Sequence, residues 1–108
     1  MNVLFVCTEA ISRSPTAARI FSELAKKKKV KVSVKYAGVD NHCKNHITKQ
    51  LVKWADKIYA MESFHKDWII DMCPESEKKI IVLDIADFYV KDEPGLVEIL
   101  TEKLKKEI

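Results

Sequence analysis

The chain has 108 residues, 47% of them apolar and 32% charged, and its 19 Lys plus Arg against 16 Asp plus Glu leave a net charge of +3. That length predicts a single domain over residues 1–108, and the apolar content is enough for a core without disulfide or metal staples, which excludes disorder. So mild a positive charge, almost all of it lysine, points to neither a nucleic-acid nor a membrane partner. Cys7, Cys43 and Cys73 are odd in number and irregularly spaced, which fits a reducing cytoplasm better than a disulfide framework. The opening residues lack the basic stretch of a signal peptide, and no run approaches the ~20 apolar residues of a membrane span.

Val3 to Cys7 is a continuous apolar run, the pattern of a strand buried on both faces of a parallel sheet. A short polar stretch follows, and Ser14-Pro15 opens a helix in which Ala17, Ile20, Phe21 and Leu24 share a face. Ser14 is its expected cap, and Lys26 to Lys29 close it where cations meet the negative end of the dipole. Val30, Val32, Val34 and Tyr36 alternate with polar residues, which predicts a half-exposed edge strand. Past a loop from Gly38 to Asn45, Ile47, Leu51, Trp54 and Ala55 predict a second helix, with Asp56 as a structural acid at its end. Lys57 to Met61 reads as the third strand. Glu62 to Met72 reads as a helix with Phe64, Trp68, Ile69 and Met72 on one side, stopped by Pro74. Ile80 to Leu83 is the fourth strand. Asp84 to Glu93 is an acid-rich loop, and Pro94 opens a last helix striped by Leu96, Leu100 and Leu104, with Asp92 as its expected cap.

The order βαβαβαβα, with helices long enough for right-handed crossovers, predicts an α/β fold: a three-layer, doubly wound, four-stranded parallel sheet. A buried first strand beside a solvated second one favours strand order 2-1-3-4. The loop after the first strand then sits at the topological switch point, where such sheets bind ligands.

That loop reads Cys7-Thr8-Glu9-Ala10-Ile11-Ser12-Arg13-Ser14-Pro15. Loop amides and a helix N-terminus make an anion cradle, and the same field favours the reactive thiolate of Cys7. Arg13 supplies a bidentate fork for phosphoryl oxygens, and Ser14 can donate its hydroxyl to the sulfur. The segment resembles the signature loop C-x-G-N-x-C-R-S-P of the low-molecular-weight protein tyrosine phosphatases, and the size is similar to a short prokaryotic branch of that family. Tyr36-Ala37-Gly38, Asp56-Lys57-Ile58-Tyr59-Ala60-Met61 and Asp87-Phe88-Tyr89, in place of Asp-Pro-Tyr, extend the likeness along nearly the whole chain.

The resemblance implies a phosphoric monoester hydrolase acting on a phosphorylated protein or small aryl phosphate, without metal or other cofactor. Cys7 is implied as the nucleophile, residues Thr8 to Ser14 as the phosphate cradle with Arg13 gripping the transition state, Asp87 as the general acid and Tyr89 as the rim of the site. Ile11 matches members acting on phosphotyrosine, where phosphoarginine members carry threonine. Three departures stand out. Glu9-Ala10 replaces Gly-Asn, and alanine resists a positive φ by roughly 1–2 kcal/mol, which predicts a strained, reshaped or weakly active loop. Ser12 replaces a cysteine, so no disulfide forms within the loop. Phe88 replaces the proline, which leaves Asp84 as a second candidate acid. Two rival readings are a domain that binds phosphate or a partner without turnover, and a IIB-type phosphocarrier phosphorylated on Cys7.

Elsewhere the expectations are plain. His42, Cys43 and His46 match no common zinc spacing and read as a loop bordering the cradle. The lysine run is a solvated helix end, and Trp54, Trp68 and Phe64 are core.

Overall fold

The computed structural model describes all residues, Met1–Ile108. Strand β1 (Asn2–Cys7) lies at the centre of a four-stranded parallel sheet with β2 (Ser33–Gly38), β3 (Lys57–Ala60) and β4 (Ile80–Val82), in the order β2-β1-β3-β4. Helices α1 (Arg13–Lys27) and α4 (Pro94–Leu104) pack together on one face, and α2 (Lys49–Trp54) and α3 (Ser63–Met72) cover the other. The expected fold class and strand order are borne out.

The three layers follow from the side-chain alternation of β1. Val3, Phe5 and Cys7 enter a core shared with Ala17, Phe21, Leu96 and Leu100, whereas Leu4 and Val6 enter a second core with Ile47, Val52, Ile58 and Ile69. Phe5, Phe21 and Tyr59 meet in the first core with ring centroids 5.1–5.9 Å apart. Asp56 is the structural acid expected of it, accepting from the Asn2 amide at 2.7 Å and so pinning the start of β1.

Several boundaries differ from the sequence expectation for local reasons. Strand β2 starts at Ser33, not Val30, because residues 28–30 finish α1: Lys29 takes a φ of 56° and the Val30 amide returns to the Ala25 carbonyl at 2.9 Å. Helix α2 starts only after Thr48, whose hydroxyl accepts from the Leu51 amide. Strand β3 stops at Ala60 and β4 at Val82, and a short 3-10 turn, Pro74–Lys79, joins α3 to β4.

Phe64 is not core. It is 50% exposed, and the inward positions of α3 are His65 and Ile69, one residue round the helix. The cause is the helix start, where the His65 ring turns back to accept from the Glu62 amide. Trp54 and Trp68 do pack against the second core, half-buried.

Candidate active site

The carboxyl end of β1 delivers Cys7 to the floor of a loop running from Thr8 to Ser12, and α1 begins at once with Arg13. Ser14 does not cap that helix. Its hydroxyl oxygen lies 3.0 Å from Cys7 Sγ, and the Ala10 amide donates to the same sulfur at 3.2 Å. The thiol is buried, with the Ala10 amide donating to it and the Ser14 hydroxyl within hydrogen-bond distance. The amides of Glu9, Ile11, Ser12, Arg13 and Ser14 take part in no backbone hydrogen bond, so they remain available to an anion.

The loop keeps its curl despite an alanine at the strained position. Ala10 has a φ of 59°, the left-handed conformation that glycine and asparagine tolerate more easily. Glu9 is exposed and forms no ion pair, its carboxylate left in solvent beside the cradle. Gly38 explains its place after Tyr36-Ala37: a Cβ there would sit 2.6 Å from the Thr8 carbonyl oxygen, because the cradle loop crosses directly over β2. The Val39 and Asp40 amides then bind the Cys7 and Thr8 carbonyls at 3.0 and 2.9 Å.

Arg13 is the largest fully buried side chain, 1% exposed. Its Nη1 donates to Glu62 Oε2 and to the Ile85 carbonyl, both at 2.6 Å, and its Nη2 donates to Thr8 Oγ1 at 3.3 Å. Asp87 Oδ1 lies 3.6 Å from Nε. One edge of the guanidinium is thus anchored to the protein, and the Nε/Nη2 edge faces the cradle, a cavity of about 130 Å³ lined by Cys7, Thr8, Glu9, Ile11, Ser12, Arg13 and Asp87.

Of the two acids weighed from sequence, the fold brings Asp87 to this cavity. Asp84 stays at the end of β4 with a φ of 56°, outside the lining. Tyr89 is half-buried under the loop, near Gly95 at the start of α4, with Phe88 stacked on it at 4.4 Å and 73% exposed. The more exposed aromatic beside the site is therefore Phe88. Asp92 is not the cap of α4, whose N-cap is Glu93. Its amide donates to Thr16 Oγ1 and its carboxylate pairs with Arg19 at 3.0 Å.

A larger cavity of about 540 Å³ adjoins the cradle and shares Glu9 and Ile11 with it, with Tyr36, Asp40, His42, Cys43 and Asn45 among its walls. The loop after β2 thus borders the cradle, as expected from its position. His46 donates from Nδ1 to the Asp40 carbonyl at 3.0 Å and stands edge-on to Trp68.

Two residues of the site, Glu62 and His65, were not singled out from sequence. Glu62 reads there as an ordinary helix-start acid, and the only signal is its spacing of three from His65 directly after a buried strand. His65 is fully buried, and burial together with the Arg13 cation holds its pKa down at about 4, against the weaker opposing pull of Glu62 and Asp87.

Known proteins share this architecture. The model of the low molecular weight phosphotyrosine protein phosphatase family matches residues 2–57. A protein-arginine-phosphatase of Geobacillus stearothermophilus is 31% identical over 147 residues, spanning 98% of this chain and 97% of the relative. The low molecular weight protein-tyrosine-phosphatase Wzb of Escherichia coli K12 is 26% identical over 126 residues, spanning 93% and 86%. The solved structure of a YwlE mutant from Bacillus subtilis aligns with a TM-score of 0.76 at 25% identity, covering 99% of this chain and 97% of that one. The chain belongs to the low molecular weight phosphotyrosine protein phosphatase family, and with the family comes the enzyme class, a protein phosphatase.

Proposed function

We propose that the chain dephosphorylates phosphotyrosine-like aryl monoesters on proteins through a cysteinyl-phosphate intermediate, and that residues 1–108 act as one catalytic unit in the cytoplasm. The observation that carries the chemistry is the single cavity lined by Cys7, Arg13 and Asp87. The Cys7 thiolate attacks phosphorus in line, while loop amides and Arg13 take the equatorial oxygens. The bond from phosphorus to the aryl oxygen breaks as Asp87 donates its proton to that oxygen. Water then attacks the phosphocysteine, Asp87 takes the water's proton, and the thiolate leaves, stabilised by the Ser14 hydroxyl at 3.0 Å. A phosphocarrier on Cys7 has no use for the anchored Arg13 or for an acid beside it.

Preference for an aryl ester is supported by Ile11, 61% exposed and lining both cavities. Ile11 itself offers only apolar contact, which suits an aromatic ring and supplies no acceptor to the N–H groups of a phosphorylated guanidinium, leaving those to the Glu9 and Asp87 carboxylates of the same cavity.

Hydrolysis of para-nitrophenyl phosphate by wild type and Cys7→Ser tests the chemistry, with Cys7→Ser expected to be inactive; equal rates would refute it. Paired phosphotyrosine and phosphoarginine peptides test the specificity. We expect kcat/KM at least about tenfold higher for phosphotyrosine, the discrimination one mismatched polar contact provides. A phosphoarginine preference would overturn that part and leave the hydrolase intact.

A further inference from the structure

The hydrogen bonds around Thr8 leave its hydroxyl proton only one role. The Glu62 amide donates to His65 Nδ1 at 3.0 Å. A backbone amide is a donor only, so Nδ1 carries a lone pair and the proton of the neutral ring sits on Nε2. Nε2 lies 2.9 Å from Thr8 Oγ1, so the imidazole donates and the threonine accepts. Arg13 Nη2 donates to the same oxygen at 3.3 Å. A hydroxyl has two acceptor positions and one proton, both acceptor positions are filled, and the proton must go elsewhere. Cys7 Sγ is served by Ser14 and Ala10, while Thr8 is half-buried on the wall of the cradle.

We propose that His65 is a positioning residue that turns the Thr8 hydroxyl into a dedicated donor to a phosphoryl oxygen in the cradle. The proposal rests on the phosphatase reading of the site. It adds a side-chain donor to the loop amides and places its control on α3, far from the signature loop in sequence. The same bonds tie Thr8 to Arg13, so the guanidinium and the hydroxyl reach the phosphoryl group as one unit. With its pKa near 4, His65 keeps this tautomer across the neutral range. Protonation of Nδ1 would put two donors face to face at the Glu62 amide.

Two substitutions separate the two ends of the ring. H65N keeps an acceptor near the Nδ1 position but cannot reach Thr8, and H65Q places an amide N–H near the Nε2 position. T8V keeps the shape of Thr8 and removes the donor. We expect T8V and H65N each to lower kcat/KM for para-nitrophenyl phosphate by roughly 10- to 100-fold, as for one lost oxyanion donor. Inhibition by inorganic phosphate should weaken in parallel, H65Q should recover most of the loss, and the T8V/H65N double variant should be no worse than T8V. A merely structural His65 would lower the thermal midpoint in H65N and H65Q alike without altering phosphate inhibition of the folded enzyme. That result, or losses that multiply in the double variant, would overturn the proposal. Direct calorimetric binding of inorganic phosphate to wild type, T8V and H65N decides the same question without turnover. Failure of the wild type to exceed Cys7→Ser would count against the phosphatase reading alone.

Discussion

Two loops meet over Arg13, and they are held in opposite ways. The cradle loop, Cys7 to Ser14, is clamped from below: it crosses Gly38 at contact distance, its carbonyls bind the Val39 and Asp40 amides, and Arg13 and Ser14 inside it are buried. The segment from Asp84 to Asp92 lies mostly in solvent, with Asp84, Ala86, Asp87, Phe88 and Val90 exposed. Its ties are Ile85, buried with its amide donating to the Met61 carbonyl and its carbonyl accepting from Arg13, and Asp92, held by Thr16 and Arg19. The proposed anion cradle is thus preorganised, while Asp87, the proposed proton donor, rides on a lightly tethered segment. Phosphate binding and proton transfer should therefore be separable by mutation.

The largest effect should come from the loose side. Asp87→Asn should lower kcat by roughly 10²–10⁴-fold, the usual worth of a general acid, without weakening inhibition by inorganic phosphate. Asp84→Asn should stay within about twofold of wild type, as for a surface change away from the site. Steady-state kinetics on both variants checks this, and the reverse ranking would move the acid to Asp84 and dissolve the contrast.

On the clamped side, Glu62→Gln removes the carboxylate 2.6 Å from the buried Arg13 guanidinium. Breaking a fully buried pair costs about 3–5 kcal/mol, and with the Glu62 side chain 32% exposed the expected loss is smaller, about 1–3 kcal/mol. Here stability and phosphate affinity should fall together, measured by denaturant unfolding and inhibition. Loss of stability alone would show that Glu62 props the fold without orienting the fork.

The sheet order and the cradle were readable from local patterns: an unbroken apolar strand, an alternating edge strand, and Arg-Ser-Pro opening a helix six residues after the cysteine. Glu62 and His65 were hidden because their meaning is tertiary. Arg13 and Glu62 are 49 positions apart, and nothing near either residue announces the pair. Phe64 was misread for a related reason. Apolar spacing favours it, but the Glu62–His65 contact rotates the start of α3 by one residue, about 100°, and puts the imidazole inside. In the Asp84 to Asp92 segment, Asp87 was legible from the likeness to Asp-Pro-Tyr, whereas Phe88 standing outside Tyr89 was not, since a loop has no period to read.

A pH series probes the clamp more gently. The folded-state pKa of His65 lies near 4, below its ordinary 6.5, so between those values the unfolded chain binds a proton that the folded chain refuses. Stability from this group is complete above about 6.5 and lost progressively as pH falls toward 4. Arg13, Glu62 and Asp87 face the ring with charges of their own, so the informative quantity is the difference between wild type and His65→Asn. The unfolding midpoint of wild type should drop more steeply over that range, and parallel curves would mean that His65 is not held neutral by its surroundings.

The smallest effect tests whether clamping extends to strain. Ala10 and Lys29 both hold left-handed backbone, φ 59° and 56°, one in the cradle and one at the end of α1. Glycine relieves roughly 1–2 kcal/mol of left-handed strain but returns about 0.4–1 kcal/mol through the freer unfolded chain, so each glycine variant should gain about 0.5–1 kcal/mol in denaturant unfolding. At Lys29 the gain should have no kinetic counterpart, because a helix end far from the cradle only has to terminate. At Ala10 the amide also holds Cys7 Sγ at 3.2 Å, and a freer backbone there holds it less firmly. Ala10→Gly should therefore trade stability against reactivity of the thiolate, read as slower alkylation of Cys7 by iodoacetamide, while Lys29→Gly gains stability alone. Equal behaviour at the two positions would mean that the conformation at Ala10 is ordinary turn geometry and that the clamp ends at the backbone.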